Sequence, residues 1–336
     1  YVNAQAGWLF GRRPEDLVGR HIWTEFPESV GREFCLAYEK AMREQQPVFL
    51  EEYYPPLDRW FENRIYPSSE GLTVYLHDIT GRKKDEALLN GQKEVLEMIA
   101  AGAPLEATLV ALVRVMEAQS PEMLGTILLL DEDGLHLRHG AAPSAPAAYA
   151  RAIDGGAVGP RSGSCGTAAF RREPVIVEDI AADPLWEDYR ALALAHGLRA
   201  CWSTPILDAS RRVLGTFAIY YRQPGRPMAQ HRRLIEIATH IAAIAIGHER
   251  AQAALRLSES RHRALFEYAP DGILMADSQG RYLDANASVR RMLGYAREEL
   301  IGLHAPDIVV PAEVPHIGRA LHAIKAKGGY HREWQF

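Results

Sequence analysis

Residues 199–206 read RACWSTPI, and residues 215–221 read GTFAIYY. The β-branched and aromatic residues in these two stretches favour extended strands. Because the polar residues 208–212 separate the predicted strands 201–207 and 213–221, we expect the two strands to form an antiparallel hairpin. This hairpin predicts a β-sheet in the middle of the chain.

A second hairpin is predicted upstream of the first. Residues 126–130 and 135–139 have the composition of strands, and the four residues between them read DEDG. This turn places Gly134 where a positive φ is needed. A further short strand is predicted at residues 175–177, so the sheet should contain at least five strands with antiparallel pairing.

A helix is predicted over residues 183–196. Asp183 precedes Pro184, which combines a capping side chain with the proline that is favoured in a first helical turn. Gly197 follows the alanine-rich end of the segment and should stop the helix.

The stretch SCGTAAF at residues 164–170 completes the pattern, since Ser162 or Ser164 can cap a helix over residues 166–172. Together with RACWSTPI and GTFAIYY, it resembles bacterial GAF domains over nearly all of residues 96–250. The resemblance implies an antiparallel sheet with helices, and a pocket for a small ligand or chromophore that is coupled to dimer helices. The residues expected to bind such a ligand are Cys165, Thr167, Trp186, Tyr189, Cys201 and Trp202.

Cys165 has two interpretations. At the start of a helix its thiolate is favoured by the helix dipole, which fits a redox role or a covalent chromophore. The alternative is a cysteine that only fills space in the core. Bilin-binding GAF domains usually carry Cys followed by His, whereas Gly166 follows Cys165 and Trp202 follows Cys201. A bilin is therefore not expected, and no cofactor is assigned.

The two ends of the chain contain an internal repeat, because two segments align without a gap when 283 is added to the residue number. In each, an Asn ends a strand, a short helix follows and is closed by a Gly, and a second helical turn ends at another Gly. Self-similarity at a fixed offset is typical of repeated modules. The identical pairs are Asn3 and Asn286, Ala4 and Ala287, Gly11 and Gly294, Glu15 and Glu298, Leu17 and Leu300, Gly19 and Gly302, and His21 and His304.

The repeated segment resembles the first half of a PAS domain, which implies a small sensor fold of five antiparallel strands and a few short helices. The second copy adds opening strands within residues 264–277 and 281–286, joined by a turn at 278–280. The first copy instead adds closing strands at 60–66 and 72–77. Each copy holds what the other lacks, so we expect the chain to be cut from a longer polypeptide.

The predicted fold class is therefore α+β. A central GAF domain is flanked by two incomplete PAS-like domains and joined to them by long helices. The expected boundaries are 1–80 for the first PAS part, 81–95 for a linker helix, 96–250 for the GAF domain, 251–262 for a second linker helix and 263–336 for the second PAS part.

The second linker helix continues an apolar seam that begins at Leu234 and advances in alternating steps of three and four residues. This 3.5-residue repeat predicts a parallel coiled coil and hence a homodimer. Up to residue 246, packing against the chain's own GAF sheet explains the pattern equally well. A helix after Thr80, with Leu88, Val95 and Ile99 on one stripe, should mirror this arrangement. The predicted dimer contacts are Leu234, Ile237, Ile241, Ile244, His248, Ala251 and Leu255.

The composition narrows the function classes. The 38 Lys and Arg residues against 43 Asp and Glu residues leave a net charge of -5, which gives no basic field for nucleic acid. No apolar run approaches the ~20 residues that cross a bilayer. Cys35, Cys165 and Cys201 lack the paired spacing of a metal site, and three dispersed cysteines fit a reduced, cytoplasmic compartment.

The predicted function is sensory. The sequence contains no kinase His-box, no ATP-binding Gly boxes and no Gly-Gly-Asp-Glu-Phe loop, so we expect no catalytic centre within it. The chain is predicted to be the input region of a bacterial signalling protein that binds a small ligand and acts through dimer helices on an output domain. That output is expected to be a histidine kinase of a two-component system or a cyclic-di-GMP cyclase or phosphodiesterase. The alternative is a dimerisation scaffold with side-chain-filled pockets.

Overall fold

The computed structural model describes residues 1–277 and 279–325. Helices and antiparallel sheets alternate along the chain, which confirms the predicted α+β class. The chain divides into two compact units, Tyr1–Gly247 and His248–Phe336, which are described separately. In the described part of the chain, no helix has both the length and the apolar content needed to cross a bilayer.

The first unit begins with a group of short helices packed on a three-stranded antiparallel sheet of order β1-β2-β3. Single turns of 3₁₀ helix at Pro27–Ser29 and Pro55–Leu57 connect these elements. The elements are α1 (Ala4–Leu9), α2 (Pro14–Leu17), α3 (Ile22–Glu25), α4 (Glu33–Glu44), β1 (Val48–Tyr54), β2 (Arg59–Ser68) and β3 (Gly71–Asp78).

The rest of the first unit is a six-stranded sheet of order β6-β5-β4-β9-β8-β7, and all of its described pairings are antiparallel. The helices and strands are α5 (Thr80–Ala100), α6 (Leu105–Glu117), β4 (Leu124–Leu130), β5 (His136–Ala141), α7 (Ala147–Ala152), β6 (Gly156–Ala157), α8 (Gly163–Arg171), β7 (Val175–Val177), α9 (Arg190–Ala195), β8 (Ala200–Leu207), β9 (Val213–Tyr221) and α10 (Ala229–Glu267), whose residues after Gly247 belong to the second unit. Both predicted hairpins are present, as β4–β5 and β8–β9.

The helix predicted over 183–196 is instead two pieces. Asp183 caps the first as expected, because its Oδ1 accepts a hydrogen bond from the Leu185 N–H at 2.8 Å. This piece is only a 3₁₀ turn, Pro184–Trp186, and α9 begins four residues later at Arg190. Gly197 has φ +72° and ends the segment in the left-handed conformation that glycine adopts freely.

The six-stranded sheet has two differently occupied faces. On one face, which we call the helix face, the side chains of Phe217 and Ile219 pack with buried residues of α5, α6 and α10. On the other, the pocket face, Ala218 and Tyr220 pack with buried residues of α8 and of the segment around Trp186. The alternation along β9 follows from the two-residue period of a strand.

The stripe predicted on α5 is confirmed, since Leu88, Val95 and Ile99 are all buried in the helix-face core. On α10, Leu234 and Ile241 are buried in the same core, so they are used within the chain. Ile244 is 41% exposed and Leu255 is 59% exposed. The seam is therefore intramolecular at its start and accessible from Ile244 onward.

The second unit repeats the helical pattern of the first PAS part. Helices α12 and α13 begin and end 283 positions after α2 and α3, which confirms the gapless repeat. Its two-stranded antiparallel sheet precedes these helices, as predicted. Its elements after α10 are β10 (Leu274–Ala276), β11 (Tyr282–Ala285), α11 (Ala287–Leu293), α12 (Arg297–Leu300), α13 (Ala305–Ile308) and α14 (Val314–Lys325).

The repeated Asn begins a helix in both copies. Asn3 Oδ1 accepts a hydrogen bond from Ala6 N, and Asn286 Oδ1 accepts one from Val289 N. Gly11 and its counterpart Gly294 both have positive φ, as predicted for helix caps. Ser278 of the predicted turn and residues 326–336 lie outside the described residues.

Candidate functional site

Helix α8 lies against the pocket face because its residues are small. Ser164, Cys165, Gly166 and Thr167 are buried, and a Cβ at Gly166 would collide with the carbonyl oxygen of Ala157. Glycine at this position is therefore required by the close approach of α8 to β6. The small residues of the SCGTAAF motif therefore allow close packing, and the motif also supplies functional groups.

The expected capping by Ser162 or Ser164 is only partly correct. Ser162 is the residue before α8, but its side chain makes no capping bond; its N–H donates to Thr167 Oγ1 at 3.1 Å. Ser164 lies inside the helix, where its hydroxyl accepts a hydrogen bond from Trp186 Nε1 at 3.0 Å and donates to the Cys201 carbonyl at 3.4 Å. Ser164 therefore joins α8 to β8 and fixes the Trp186 ring.

Tyr220 of β9 is the centre of the pocket face. Its hydroxyl lies 3.8 Å from Cys165 Sγ, and Cys201 is its direct cross-strand partner. The rings of Tyr149 and Trp186 pack edge-on against the Tyr220 ring, with centroid distances of 5.5 and 6.3 Å. Two thiols and three aromatic rings thus meet beneath α8.

A cavity of about 40 Å³ adjoins these groups. Cys165, Tyr149, Trp186, Tyr189 and Tyr220 contribute to its wall, together with the glycine-rich loop before α8. Since a cavity of roughly 10–15 Å³ in this measure holds one water molecule, the cavity holds only a few heavy atoms.

Four hydroxyl groups on or against the pocket face make no hydrogen bond of good geometry among the described residues. Two of them nevertheless lie close to the Cys165 thiol, and a third lies close to the Tyr220 hydroxyl. All four side chains are at most 1% exposed. Thr126 and Ser203 flank Ala218 on the two neighbouring strands, so three strands contribute to one polar surface. Of the four, Tyr149 lines the cavity. Burial of an unpaired hydroxyl costs about 1–3 kcal/mol, so a hydrogen-bonding molecule beside Tyr149 would be favoured. The four groups belong to Thr126, Tyr149, Ser203 and Thr216.

Burial and neighbouring groups perturb the acidities in the site. The Cys201 thiol lies close enough to lower the pKa of Cys165, and the hydroxyls of Ser203, Tyr220 and Thr216 act in the same direction against the effect of burial. Burial raises the pKa of Cys201 and that of Tyr220 well above their ordinary values. Cys165 is therefore the thiol that ionises first, while Tyr220 stays a neutral hydrogen-bonding phenol.

The residues expected to bind a ligand differ in their distance from the cavity. Cys165, Trp186 and Tyr189 line the cavity, and Cys201 lies on the same face of the sheet. Thr167 is buried in α8 and accepts the hydrogen bond from Ser162 N.

Trp202 requires a correction. Because successive residues of a strand point to opposite faces, the neighbour of Cys201 lies on the helix face. There its ring packs on Tyr221 and His231, with centroid distances of 4.4 and 5.8 Å. Sequence reasoning missed Tyr149, Tyr220 and the unpaired hydroxyls, although the alternation in GTFAIYY indicates that residues 216, 218 and 220 share one face.

The first PAS part contains a larger cavity of about 640 Å³. Asn63 of β2 is fully buried in its wall, where its Oδ1 accepts a hydrogen bond from Tyr38 Oη at 3.4 Å. The Asn63 amide nitrogen has no partner within the described residues. The other walls include aromatic and aliphatic side chains, among them Leu9, Phe34, Phe61 and Leu76.

No group of three or more His, Cys, Asp or Glu side chains in residues 1–277 and 279–325 has the arrangement of a metal site. The three cysteines are all free and buried. The groups that the site presents are thiols, hydroxyls and aromatic rings.

Comparison with known proteins identifies the class to which the chain belongs. Family models for a PAS fold, a GAF domain and a PAS domain match residues 1–84, 103–247 and 260–324, in that order. The chain therefore contains, in this order, regions that match a PAS fold, a GAF domain and a PAS domain.

Two relatives are sensors. The chain is 39% identical over 332 residues to the methyl sulfide methyltransferase-associated sensor of Methanosarcina acetivorans, a match that covers 95% of this chain and 33% of that protein. It is 30% identical over 81 residues to the sensor histidine kinase TmoS of Ectopseudomonas mendocina, which covers 24% of this chain and 8% of that protein. The chain thus spans about a third of the first relative and less than a tenth of the second.

Solved GAF structures are similar to about half of the chain. One is a putative GAF sensor protein from Burkholderia vietnamiensis, with 19% identity, a TM-score of 0.39, and coverage of 48% of this chain and 93% of that chain. Another is the GAF domain of a phosphoenolpyruvate-protein phosphotransferase from Coxiella burnetii, with 18% identity, a TM-score of 0.41, and coverage of 50% and 98%.

Proposed function

We propose that the chain is a sensory input region whose GAF pocket binds a small hydrogen-bonding molecule and whose helices pass the bound state to an output domain. The observation that carries this proposal is the set of unpaired buried hydroxyls on the pocket face. A scaffold with a side-chain-filled pocket has no use for such groups, because methyl groups in the same positions would be more stable. A histidine kinase output is supported by the relative TmoS.

The sheet offers a direct physical connection between the pocket and the helices. Tyr220 and Ala218 contact the pocket side, while Phe217 and Ile219, their immediate neighbours in β9, pack in the core that contains Leu234 of α10. A molecule that shifts β9 therefore changes the packing of α10 as well. Coupling of this kind requires that the molecule bind one arrangement of the sheet better than the other.

Homodimerisation is the second part of the proposal. The accessible part of the α10 seam continues the 3.5-residue repeat through Ile244, His248, Ala251 and Leu255. We infer that these residues contact their counterparts in a second copy. We also place the region in the cytoplasm, because its three cysteines are free.

Native mass spectrometry of the purified chain tests the ligand. We expect the wild-type protein to retain a small molecule that Tyr149→Phe loses, since the substitution removes the hydroxyl at the cavity wall and keeps the ring. Asn63→Leu is the matched variant for the PAS cavity and should retain the molecule. Loss from Asn63→Leu but not from Tyr149→Phe would move the site to the PAS cavity, and a molecule-free wild-type protein would favour the scaffold.

Sedimentation velocity at micromolar concentration tests the dimer. Leu255→Glu should convert the dimer to monomer, because it places a charge in the seam of each copy. Leu257→Glu is the matched control, since Leu257 is 62% exposed against 59% for Leu255 but lies off the seam. A wild-type monomer, or equal dissociation by both variants, would contradict the coiled-coil assignment.

A further inference from the structure

The two buried cysteines of the GAF domain lie together although 35 residues separate them in the sequence. Ser164, the neighbour of Cys165, donates a hydrogen bond to the backbone carbonyl of Cys201, which holds the start of α8 over β8. Tyr220 lies beside both cysteines, 3.8 Å from Cys165 Sγ and directly across the strand pair from Cys201. Ser164 and Tyr220 therefore link the two cysteines, and the Cys201 thiol lies close enough to Cys165 to lower its pKa.

The surroundings of the pair differ from those of a thiol that only fills space. Cys165 is the third residue of α8, where the helix dipole favours a thiolate. The hydroxyls of Ser203, Thr216 and Tyr149 lie on the same polar surface, and none has a hydrogen-bond partner within the described residues. Hydroxyl donors close to a thiol stabilise its charged form.

Cys165 is also reachable by a very small molecule. The cavity of about 40 Å³ is bounded by Cys165, Tyr149 and Tyr220. In this measure it accommodates a molecule of a few heavy atoms, which includes hydrogen peroxide and excludes a bulky organic hydroperoxide. The size of the cavity thus selects among oxidants.

We propose that Cys165 and Cys201 form a peroxide-reactive thiol pair within the GAF pocket. The Cys165 thiolate attacks one oxygen of hydrogen peroxide; the S–O bond forms, the O–O bond breaks, and the leaving hydroxide takes a proton to become water. The Cys201 thiol then attacks the resulting sulfenic acid, the S–S bond forms, and a second water leaves. Two thiols are oxidised to one disulfide, and one peroxide is reduced to two waters.

A dithiol reductant reverses the reaction by thiol–disulfide exchange. The oxidation state of the two cysteines is thus a second signal that this domain can receive. The chemistry does not depend on the small molecule proposed above, and only its effect on signalling rests on the sensory function.

The test is peptide mapping of the reduced chain after exposure to hydrogen peroxide. We expect a peptide pair linked through Cys165 and Cys201, lighter by two hydrogens and restored by dithiothreitol. Cys35, which is buried in the first PAS part with its thiol 3.6 Å from Glu39 Oε1, is the internal control and should stay reduced. Cumene hydroperoxide at equal concentration should leave the pair reduced over the same time.

Two variants separate the roles of the thiols. In Cys201→Ser, a sulfenic acid should form at Cys165; it is trapped by dimedone after the peroxide is removed and the chain is unfolded, because dimedone is too large for the cavity. In Cys165→Ser, no oxidation of Cys201 is expected. The peptide map of the wild-type chain tests the proposal even if a variant fails to fold. Free Cys165 after peroxide treatment, or oxidation of Cys35 as fast as of Cys165, would overturn the proposal, whether or not a small molecule is found in the pocket.

Discussion

The helix face and the pocket face of the GAF sheet are built from the same strands but differ in chemistry. The helix face buries a continuous set of aliphatic and aromatic side chains against α5, α6 and α10. Among the described side chains of that face, Trp202 Nε1 is the one buried side-chain polar atom without a partner. The pocket face region holds four unpaired hydroxyls and two thiols. The difference indicates that one face provides stability and the other is adapted to receive a molecule.

The largest effect is expected from Phe217→Ala. The Phe217 ring is fully buried in the helix-face core, so its removal should lower the free energy of unfolding by about 3–5 kcal/mol. Phe170→Ala is the control, because Phe170 at the end of α8 is 55% exposed and should change stability by less than about 0.5 kcal/mol. Urea titration measures both. Equal losses would mean that the helix face is not the main source of stability.

A smaller, pH-dependent effect is expected from His231, which is buried on the helix face beside Trp202 and 3.2 Å from Tyr221 Oη. Burial lowers the pKa of His231, so at acid pH the unfolded chain binds more protons than the folded one. The contribution of the neutral ring is complete above the unfolded pKa of about 6.5 and is lost as the pH falls below it.

The variant His231→Gln should therefore flatten the decline in stability between about pH 7 and pH 5, since its side chain does not titrate. His240→Gln, at an exposed histidine of the same helix, is the control for the loss of an imidazole. Unfolding free energies across this range would show the difference. Identical profiles for the two variants would mean that His231 does not cause the decline in stability. Tyr221 is the titratable group that faces His231, and burial raises its pKa, so it stays neutral throughout.

Local sequence signals predicted the strands and helices of both faces. They did not predict which side chains these elements bring into contact. The hairpins, the Asp183 cap and the repeat at offset 283 depend on residues close in sequence. The meeting of Tyr149 with Tyr220, or of Cys165 with Cys201, depends on how α7 and α8 cross the sheet, for which no short-range pattern exists. Trp202 and Cys201 belong to one sequence motif, but strand alternation places their side chains on opposite faces of the sheet.

The seam on α10 shows a different limit of prediction from the sequence. A helix packed on a sheet repeats every 3.6 residues and a coiled coil every 3.5, so over the two turns from Leu234 to Ile241 the patterns are the same. Only the structure shows that Leu234 and Ile241 are buried within the chain while Leu255 is exposed.

The most direct test of the two-face account compares two buried threonines. Thr216 on the pocket face has an unpaired hydroxyl, whereas the Thr108 hydroxyl, in α6 on the helix face, donates to the Pro104 carbonyl at 3.1 Å. Thr216→Val should raise the free energy of unfolding of the ligand-free chain by about 1 kcal/mol, and Thr108→Val should lower it by a similar amount. A loss of stability in Thr216→Val equal to that in Thr108→Val would contradict the claim that the pocket face is prepared for an added molecule.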